Sequence, residues 1–311
     1  MRTILRTNDC LEQNQRAAIL RFAGKRKVLS TGALGGGLRT DLTTAFNFNG
    51  CPRAAAYCEM DGNTLEEHQI WTARQLSLDP RYTTGLDTGA NIDNTAIRTL
   101  SCEDFTVTAI VTAGLEGNGC RVGDPATLHE RRGESVMLGG TVNIFLVVDA
   151  DLSDRCMTRA LVTCTEAKVA ALQELLVVSR YAPTLATGSG TDGIVIISNS
   201  ESPIQLNEAG EQYKLGECIG RVVIQAVKDA LYRQTGLSAE MQHNAFRRMG
   251  RFGVTEAALW KGYCAECDNP VSFEKFRDLV HMMSLDGTLV TMSSLYAHLI
   301  DQVQWGLLLP H

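Results

Sequence analysis

"TVNIFLVVDADLSDRCMTRALVTCTEAKVAALQELLVVSR", Thr141 to Arg180, holds two elements of opposite period, and together they set the fold class. The first ten residues form an almost unbroken apolar run, which suits a strand covered on both faces. The period then changes. At about 100° per residue, Met157, Leu161, Cys164, Leu172 and Leu175 fall on one stripe, the pattern of a helix face pressed against a core. This helix is expected to start near Asp151 or Ser153 and to continue to Arg180. Two polar residues interrupt these apolar surfaces. Lys168 lies in the middle of the helix stripe, and Asn143 lies inside the strand. Glu166 points to nearly the opposite side of the helix from Lys168, so the two charges do not share a site on a regular helix. A buried asparagine must satisfy its amide, either by tying down backbone or by facing a cavity.

Outward from this pair, β-rich runs and glycine-rich turns occupy the first two hundred residues. Arg26 to Leu38 reads as a strand entering a flexible turn, and Thr40 to Gly50 as its return. A helix is expected from Thr64 to Leu76, with Thr64 as N-cap and Glu67 completing a capping box. Strands follow at Tyr82 to Thr88 and Phe105 to Gly114, and a Gly139–Gly140 turn precedes Thr141. Beyond "ATGSGTDGIVIIS", Ala186 to Ser198, comes a second long amphipathic helix closed by Gly236 as C-cap. Everything after it reads helical.

The expected architecture is therefore α+β, with buried mixed sheet covered by long helices and a helical C-terminal extension. An αββα-type sandwich is one arrangement of this set. Residues 1–236 form the expected core unit and residues 237–311 the extension.

With 311 residues and 44% hydrophobic content, the chain can bury a substantial core. A net charge of −6 without long Lys/Arg runs argues against a nucleic-acid surface and leaves a small-molecule partner. The first residues contain no export-type apolar region, and no run approaches the length of a membrane span. A cytoplasmic location is expected on that basis. The ten cysteines then read as free thiols rather than a disulfide framework. Cys264 and Cys267 form a CxxC that supplies two ligands, whereas a structural metal usually needs four, borrowed here from Cys10, Cys51 or Cys58. A turn between helices is the preferred explanation, and no metal site is expected.

Four glycine-flanked spots can carry chemistry. Gly35, Gly36 and Gly37 permit close backbone approach to a ligand, although their spacing matches no phosphate fingerprint. Gly117 to Pro125 carries Asn118 and Asp124 at a strand end, where turn chemistry explains the same residues equally well. Asn143 is the third. "TGSGTD", Thr187 to Asp192, sets Thr and Ser hydroxyls and a carboxylate before a buried strand. A Thr or Ser there becomes a nucleophile only with a base in reach; the competing role is a turn in which Asp192 accepts from backbone N–H groups. The six histidines show no metal-binding spacing, and no GxSxG elbow is present.

Five blocks, "VLSTGALGGGL", "VTAGLEGNGCRVGDP", "GTVNIFLVVDADLSD", "RALVTCTEAKVAALQEL" and "ATGSGTDGIVI", closely resemble the adenosylcobinamide amidohydrolase family in order and spacing. The resemblance covers roughly Lys27 to Leu231 and does not reach the helical extension. It implies hydrolysis of the amide between the aminopropanol arm and the corrin ring of adenosylcobinamide, a salvage step towards adenosylcobalamin. No resident cofactor is implied; the cobalt corrinoid enters as substrate. Carried over by the matching blocks are Asn118, Gly123, Asp124, Thr141, Asn143, Thr163, Thr165, Glu166, Lys168, Thr187, Gly188, Gly190, Thr191 and Asp192. This chain departs from the family pattern at Cys164, where an alanine is usual, and at Gly119, where many members have alanine after the asparagine.

Amide hydrolysis needs an attacking oxygen, proton transfer and donors for the oxyanion. Thr191 or a water is the expected oxygen source, Asp192 or Lys168 the proton-transfer group, and Asn143 or the N–H groups of Gly188 and Gly190 the oxyanion contacts. Glu166 joins the candidate catalytic set with a structural role on the opposite face as its competing reading, and Lys168 has a competing role snorkelling to water. Gly35, Gly36, Gly37, Asn118, Asp124, Thr165 and Thr187 complete the expected substrate-binding set. Two rivals differ in class: a corrinoid-binding module without turnover, and a redox protein organised by Cys264 and Cys267. The C-terminal helices, with Trp260 and Trp305, are expected to close over the cleft or to form a homo-oligomer contact.

Overall fold

In a computed structural model of the chain, the described residues are 1–51, 60–115, 117–125 and 141–309. Two sheets lie face to face. In one, β1 (Arg2–Ile4), β2 (Cys10–Gln13), β3 (Ala17–Arg21), β6 (Thr44–Asn49) and β7 (Thr83–Thr88) run in that spatial order. In the other, the order is β5 (Gly37–Arg39), β4 (Arg26–Ser30), β14 (Gly193–Asn199), β11 (Thr141–Val148), β9 (Phe105–Gly114) and β8 (Ala96–Cys102). Both sheets are mixed, since β6 pairs parallel with β7 and β11 parallel with β14 while their other neighbours are antiparallel.

Side-chain alternation along the central strands creates three apolar layers. On β11, Val142, Ile144, Leu146 and Val148 face α2 (Asp154–Glu174) and α3 (Lys214–Thr235), joining Met157, Cys164, Leu172 and Val223 in the largest cluster. Phe145 and Val147, on the other face, meet Leu20, Ala45 and Leu86 between the sheets. Beyond the first sheet, Ile19, Phe46 and Phe48 pack with Ala73 of α1 (Leu65–Gln75). The layering is α1, sheet, sheet, α2 with α3: a four-layer αββα sandwich. The burial of every residue from Thr141 to Val148 follows from this double cover.

The predicted caps at Thr64 and Gly236 form, and α2 is capped by Ser153. Thr64 accepts from Glu67 N at 3.1 Å, and Gly236 ends α3 in the left-handed region. Glu67 reaches back to the N–H of Asn63 rather than to that of Thr64. The expected extent of α2 is corrected: it stops at Glu174, and Leu176 turns with φ +50°. The β-branched Val177 and Val178 then run extended, with Val178 bridging to Leu185. Cys58 and the Gly139–Gly140 turn lie outside the described residues.

The expectation of free thiols is also corrected. A disulfide joins Cys102 of β8 to Cys218 of α3, two buried residues 116 apart whose meeting depends on α3 lying across β8. Cys264 and Cys267 are free thiols at the end of α5 (Glu256–Glu266), and no metal-binding cluster occurs among the described residues.

The C-terminal helices α4 (Ala245–Met249), α5, α6 (Phe273–Ser284) and α7 (Gly287–Gln304) meet the core through polar anchors. Gln242 Nε2 donates to Leu175 O at 2.6 Å, and Arg251 donates to Pro183 O while pairing bidentately with Asp301. Among the described residues no helix is long and apolar enough to cross a membrane.

Candidate active site

Two short strands assemble the site. β10 (Gly119–Cys120) and β13 (Gly188–Ser189) pair antiparallel, placing Cys120 opposite Gly188 and zipping the 117–125 loop to the 187–192 loop. Thr187 strengthens the zipper: its hydroxyl accepts from Val122 N at 2.9 Å and its own N–H donates to Cys120 O. Asp124 holds the first loop, accepting from Arg121 N at 2.8 Å and from Ser179 Oγ at 2.6 Å. Asn118 is buried just before β10.

Asp192 is the hub of the second loop. Its Oδ1 accepts from Ser189 Oγ at 2.7 Å and from Val142 N at 2.9 Å. Its Oδ2 accepts from Ser189 N at 3.1 Å and from the ammonium of Lys168, which crosses from the core-facing stripe of α2. Four donors, one cationic, therefore fix the carboxylate, and both side chains of the ion pair are more than nine-tenths buried. Lys168 thus faces inward instead of snorkelling. Gly188 is required by this contact: a Cβ there would lie 2.3 Å from Asp192 Oδ2 and 2.7 Å from Lys168 Nζ.

Thr191 shares the turn. Its N–H donates to Ser189 Oγ at 3.2 Å, its hydroxyl lies 3.3 Å from that oxygen, and its carbonyl accepts from Thr141 Oγ1 at 2.7 Å. Cys120, across the zipper, has its thiol pushed above the ordinary range by burial, then by the charges of Asp192 and Asp124, against an opposing contribution from Lys168.

Asn143 connects this corner to the other sheet. Its Nδ2 donates to Asn47 Oδ1 and Asp87 O, each at 2.8 Å, and its Oδ1 accepts from Gly193 N at 3.0 Å. Asn47 passes the chain on to Thr112 Oγ1 at 2.7 Å. Both amide hydrogens of Asn143 are thereby engaged inside the protein. From Asp87, the carboxylate accepts from Gln69 Nε2, and Gln69 Oε1 accepts from Leu34 N, each at 2.7 Å. His68 accepts from Asp61 N at Nδ1, which leaves Nε2 as the ring N–H, 3.5 Å from Asp87 Oδ1. Gly35, Gly36 and Gly37 belong to this second region: a Cβ on Gly35 would lie 2.5 Å from Thr83 O, and one on Gly36 2.2 Å from Gly32 O.

Three comparisons bear on this geometry. Residues 3–239 match the family described as CbiZ, adenosylcobinamide amidohydrolase. The chain belongs to the adenosylcobinamide amidohydrolase family. It is 31% identical over 238 residues to the uncharacterized protein MJ1613 of Methanocaldococcus jannaschii, covering 73% of this chain and 89% of that one. Among solved structures it is similar to the PH0078 protein from Pyrococcus horikoshii OT3, at 12% identity and TM-score 0.35 over 74% of this chain and 82% of that one. A likeness at that TM-score supports no conclusion about the site.

Of the family-block residues, the fold brings Lys168, Asp192, Thr191, Gly188, Gly190, Thr187, Asn118, Asp124, Thr141 and Asn143 to one corner of the sandwich. Thr163, Thr165 and Glu166 lie elsewhere on α2. Thr163 donates to Ala209 O at 2.7 Å, and Thr165 donates to Leu161 O on an exposed face. Glu166 is exposed beside Glu211, whose shared hydrogen bond, then desolvation, raise its carboxyl above the usual range. The two departures from the family pattern are both structurally legible. Cys164 is fully buried, and burial pushes its thiol up to about 12. Gly119 lets β10 lie close to Val178 O and Leu115 O, 3.0 and 3.2 Å from where a Cβ would sit. A cavity of about 520 Å³ lies between the core and the C-terminal region, lined by Leu115, Arg180, Leu231, Met241 and Arg247.

Sequence reasoning passes over Cys120, Asn47 and Asp87, and it reaches Ser189 only as the Ser of the Thr187 to Asp192 motif, with no role of its own. Asn47 carries the same signal that singled out Asn143, a lone amide in an apolar strand. Ser189 stands between two glycines in a motif already singled out. Asp87 and Cys120 carried no local signal, because only tertiary pairing brings them to the site.

Proposed function

We propose that the protein hydrolyses the amide linking 1-amino-2-propanol to the corrin ring of adenosylcobinamide, releasing adenosylcobyric acid and the amino alcohol. The observation that carries this reading is the buried ion pair that Lys168 of α2 makes with Asp192 of the glycine-rich turn, both within the residues that match the family. An amide resists hydrolysis because its carbonyl is weakly electrophilic and its amine a poor leaving group. A fixed cation and oriented N–H donors beside the carbonyl oxygen address the first difficulty. Lys168 Nζ has two hydrogens beyond the one given to Asp192, and the N–H groups of Gly188 and Gly190 lie in the same turn.

In this scheme Asp192 orients Lys168 and moves the proton between the attacking oxygen and the departing amine. Asn143 has both amide hydrogens committed to Asn47 and Asp87, so its role is to hold the two sheets in register at this corner. Asn118, Asp124 and Thr187 hold the loops against which the corrin is expected to lie, and Gly35 to Gly37 form a neighbouring edge. The cobalt corrinoid is substrate, and its cobalt takes no part in the hydrolytic steps assigned to these residues.

Incubating the purified protein with adenosylcobinamide and following both products by mass spectrometry tests the proposal. Appearance of adenosylcobyric acid and 1-amino-2-propanol in equal amounts is the expected result. Corrinoid bound and recovered unchanged would put the non-hydrolytic corrinoid-binding alternative in its place.

A further inference from the structure

Four side chains at the zipped loops carry nucleophilic atoms, namely Thr187, Ser189, Thr191 and Cys120, and the Thr187 hydroxyl is already engaged by Val122 N in the zipper. Ser189 differs from the others in what surrounds its reactive atom. Its Oγ donates to Asp192 Oδ1 at 2.7 Å, so the proton that must leave already points at a carboxylate. That oxygen also accepts from Thr191 N at 3.2 Å, a donor that stabilises negative charge as it develops. Its hydroxyl is primary, whereas that of Thr191 is secondary and β-branched. On its Gly190 side the approach is open, since a Cβ there would meet nothing within 4 Å, while Gly188 packs against Asp192 and Lys168. The residue is partly exposed, while Lys168 and Asp192 beneath it are buried. Cys120, by contrast, is held as the neutral thiol by burial and two carboxylates.

We propose that Ser189 is the nucleophile, and that cleavage passes through an ester between its Oγ and the corrin acyl group. The assignment rests on the amide-hydrolase reading above. In the first half, the Oγ–C bond forms as the Oγ proton moves to Asp192 Oδ1. Lys168 and turn N–H groups hold the oxyanion. The C–N bond then breaks, and Asp192 passes that proton to the departing amine nitrogen. In the second half a water adds to the ester carbonyl and gives a proton to Asp192. The Oγ–C bond breaks, and Asp192 returns the proton to Ser189. One amide and one water become one acid and one amine, with no further reactant.

The decisive experiment follows the full-length protein turning over adenosylcobinamide with and without hydroxylamine, together with S189A and S189C. An ester intermediate predicts that hydroxylamine diverts acid to the corrinoid hydroxamate without slowing amine release. It also predicts that rapid quenching leaves the acyl group on the peptide containing Ser189. S189A is expected to lose turnover by at least about a thousandfold while still binding adenosylcobinamide. S189C is expected to recover part of the activity and to become sensitive to iodoacetamide, which shows that the turn still folds. Wild-type turnover with no hydroxamate and no adduct, or S189A within tenfold of wild type, would overturn the nucleophile and leave the hydrolase standing. A wild-type protein that releases neither product would overturn both.

Discussion

Lys168 and Asp192 come from different elements, 24 residues apart, and meet as an ion pair whose side chains are only 8% and 9% exposed. The lysine occupies a position of α2 that its neighbours on the stripe, Cys164, Ala171 and Leu172, fill with apolar contact. A cation at such a place is costly to bury unless it is paired and hydrogen-bonded. The 187–192 turn supplies the partner, and this couples the outer helix layer to the proposed reactive loop.

Replacing Lys168 by methionine retains much of the stem's packing but leaves the Asp192 carboxylate without its cation. Breaking a buried pair in this way costs about 3–5 kcal/mol. Three neutral donors from Ser189 and Val142 remain, so a value towards the lower end is expected. Thermal unfolding should show a lower midpoint, and turnover should fall at least about a hundredfold at temperatures where the variant is folded. Normal turnover by folded K168M would remove the lysine from the chemistry.

Two glycines two positions apart should behave oppositely. In Gly188→Ala the new methyl falls on Asp192 Oδ2 and Lys168 Nζ, so the pair must separate. In Gly190→Ala it enters open space. The stability of G190A should stay within about 0.5 kcal/mol of wild type, whereas G188A should lose about 2 kcal/mol or more. Equal urea midpoints for the two would mean that the turn relaxes around the methyl.

Much of the fold could be read from periodicity. The double cover of Thr141 to Val148, the inward face of α2 and the caps at Thr64 and Gly236 all follow from local pattern. The short strands β1 to β3 escaped because runs of three to five residues carry little periodic signal. Periodicity carries α2 past its end at Glu174 because apolar residues continue beyond it in a different conformation. At the site, polar interruptions of apolar elements marked Lys168 and Asn143. What they bind was not legible, since Asp192, Asn47 and Asp87 arrive through strand pairing between distant segments.

Asn143→Ala should destabilise the fold more than a typical polar deletion. The substitution strands Gly193 N–H, Asp87 O and the Asn47 side chain in a buried interface at once. With an unsatisfied buried group costing about 1–3 kcal/mol, a loss of about 3 kcal/mol is expected after local relaxation. Urea unfolding measures it directly. A loss below 1 kcal/mol would show that the two sheets do not depend on this amide.

The cysteines of α2 predict an alkaline limit to stability. Burial raises the Cys164 thiol to about 12 and the Cys156 thiol to about 11, against 9.0 when exposed. The folded state therefore holds protons that the unfolded chain releases, and stability falls as pH rises from about 9 towards these values. Below pH 9 both thiols contribute fully. Cys164→Ala should retain turnover and make the decline in urea midpoint above pH 9 shallower. Loss of activity in this variant would give the thiol a chemical role that its complete burial argues against.

The Cys102–Cys218 disulfide ties β8 to α3, whose packing is also held by the Arg98–Asp229 ion pair and by Arg233 donating to Thr95 O. Closing a separation of 116 residues restricts the unfolded chain strongly, by about 4–5 kcal/mol in the chain-entropy estimate. Because both cysteines sit in the largest apolar cluster, reduction leaves two neutral, well-packed thiols and adds little further cost. Reductant should therefore lower the urea midpoint of the wild-type protein by more than that of a C102A/C218A variant, which keeps the disulfide-bonded Cys51. The proposed active corner lies at the other end of β9 from Cys102, which pairs with Phe105. Turnover of the reduced protein in the absence of denaturant should consequently remain near that of the oxidised form. A large loss of turnover on reduction, with the fold intact, would mean that the position of α3 reaches the site through α2.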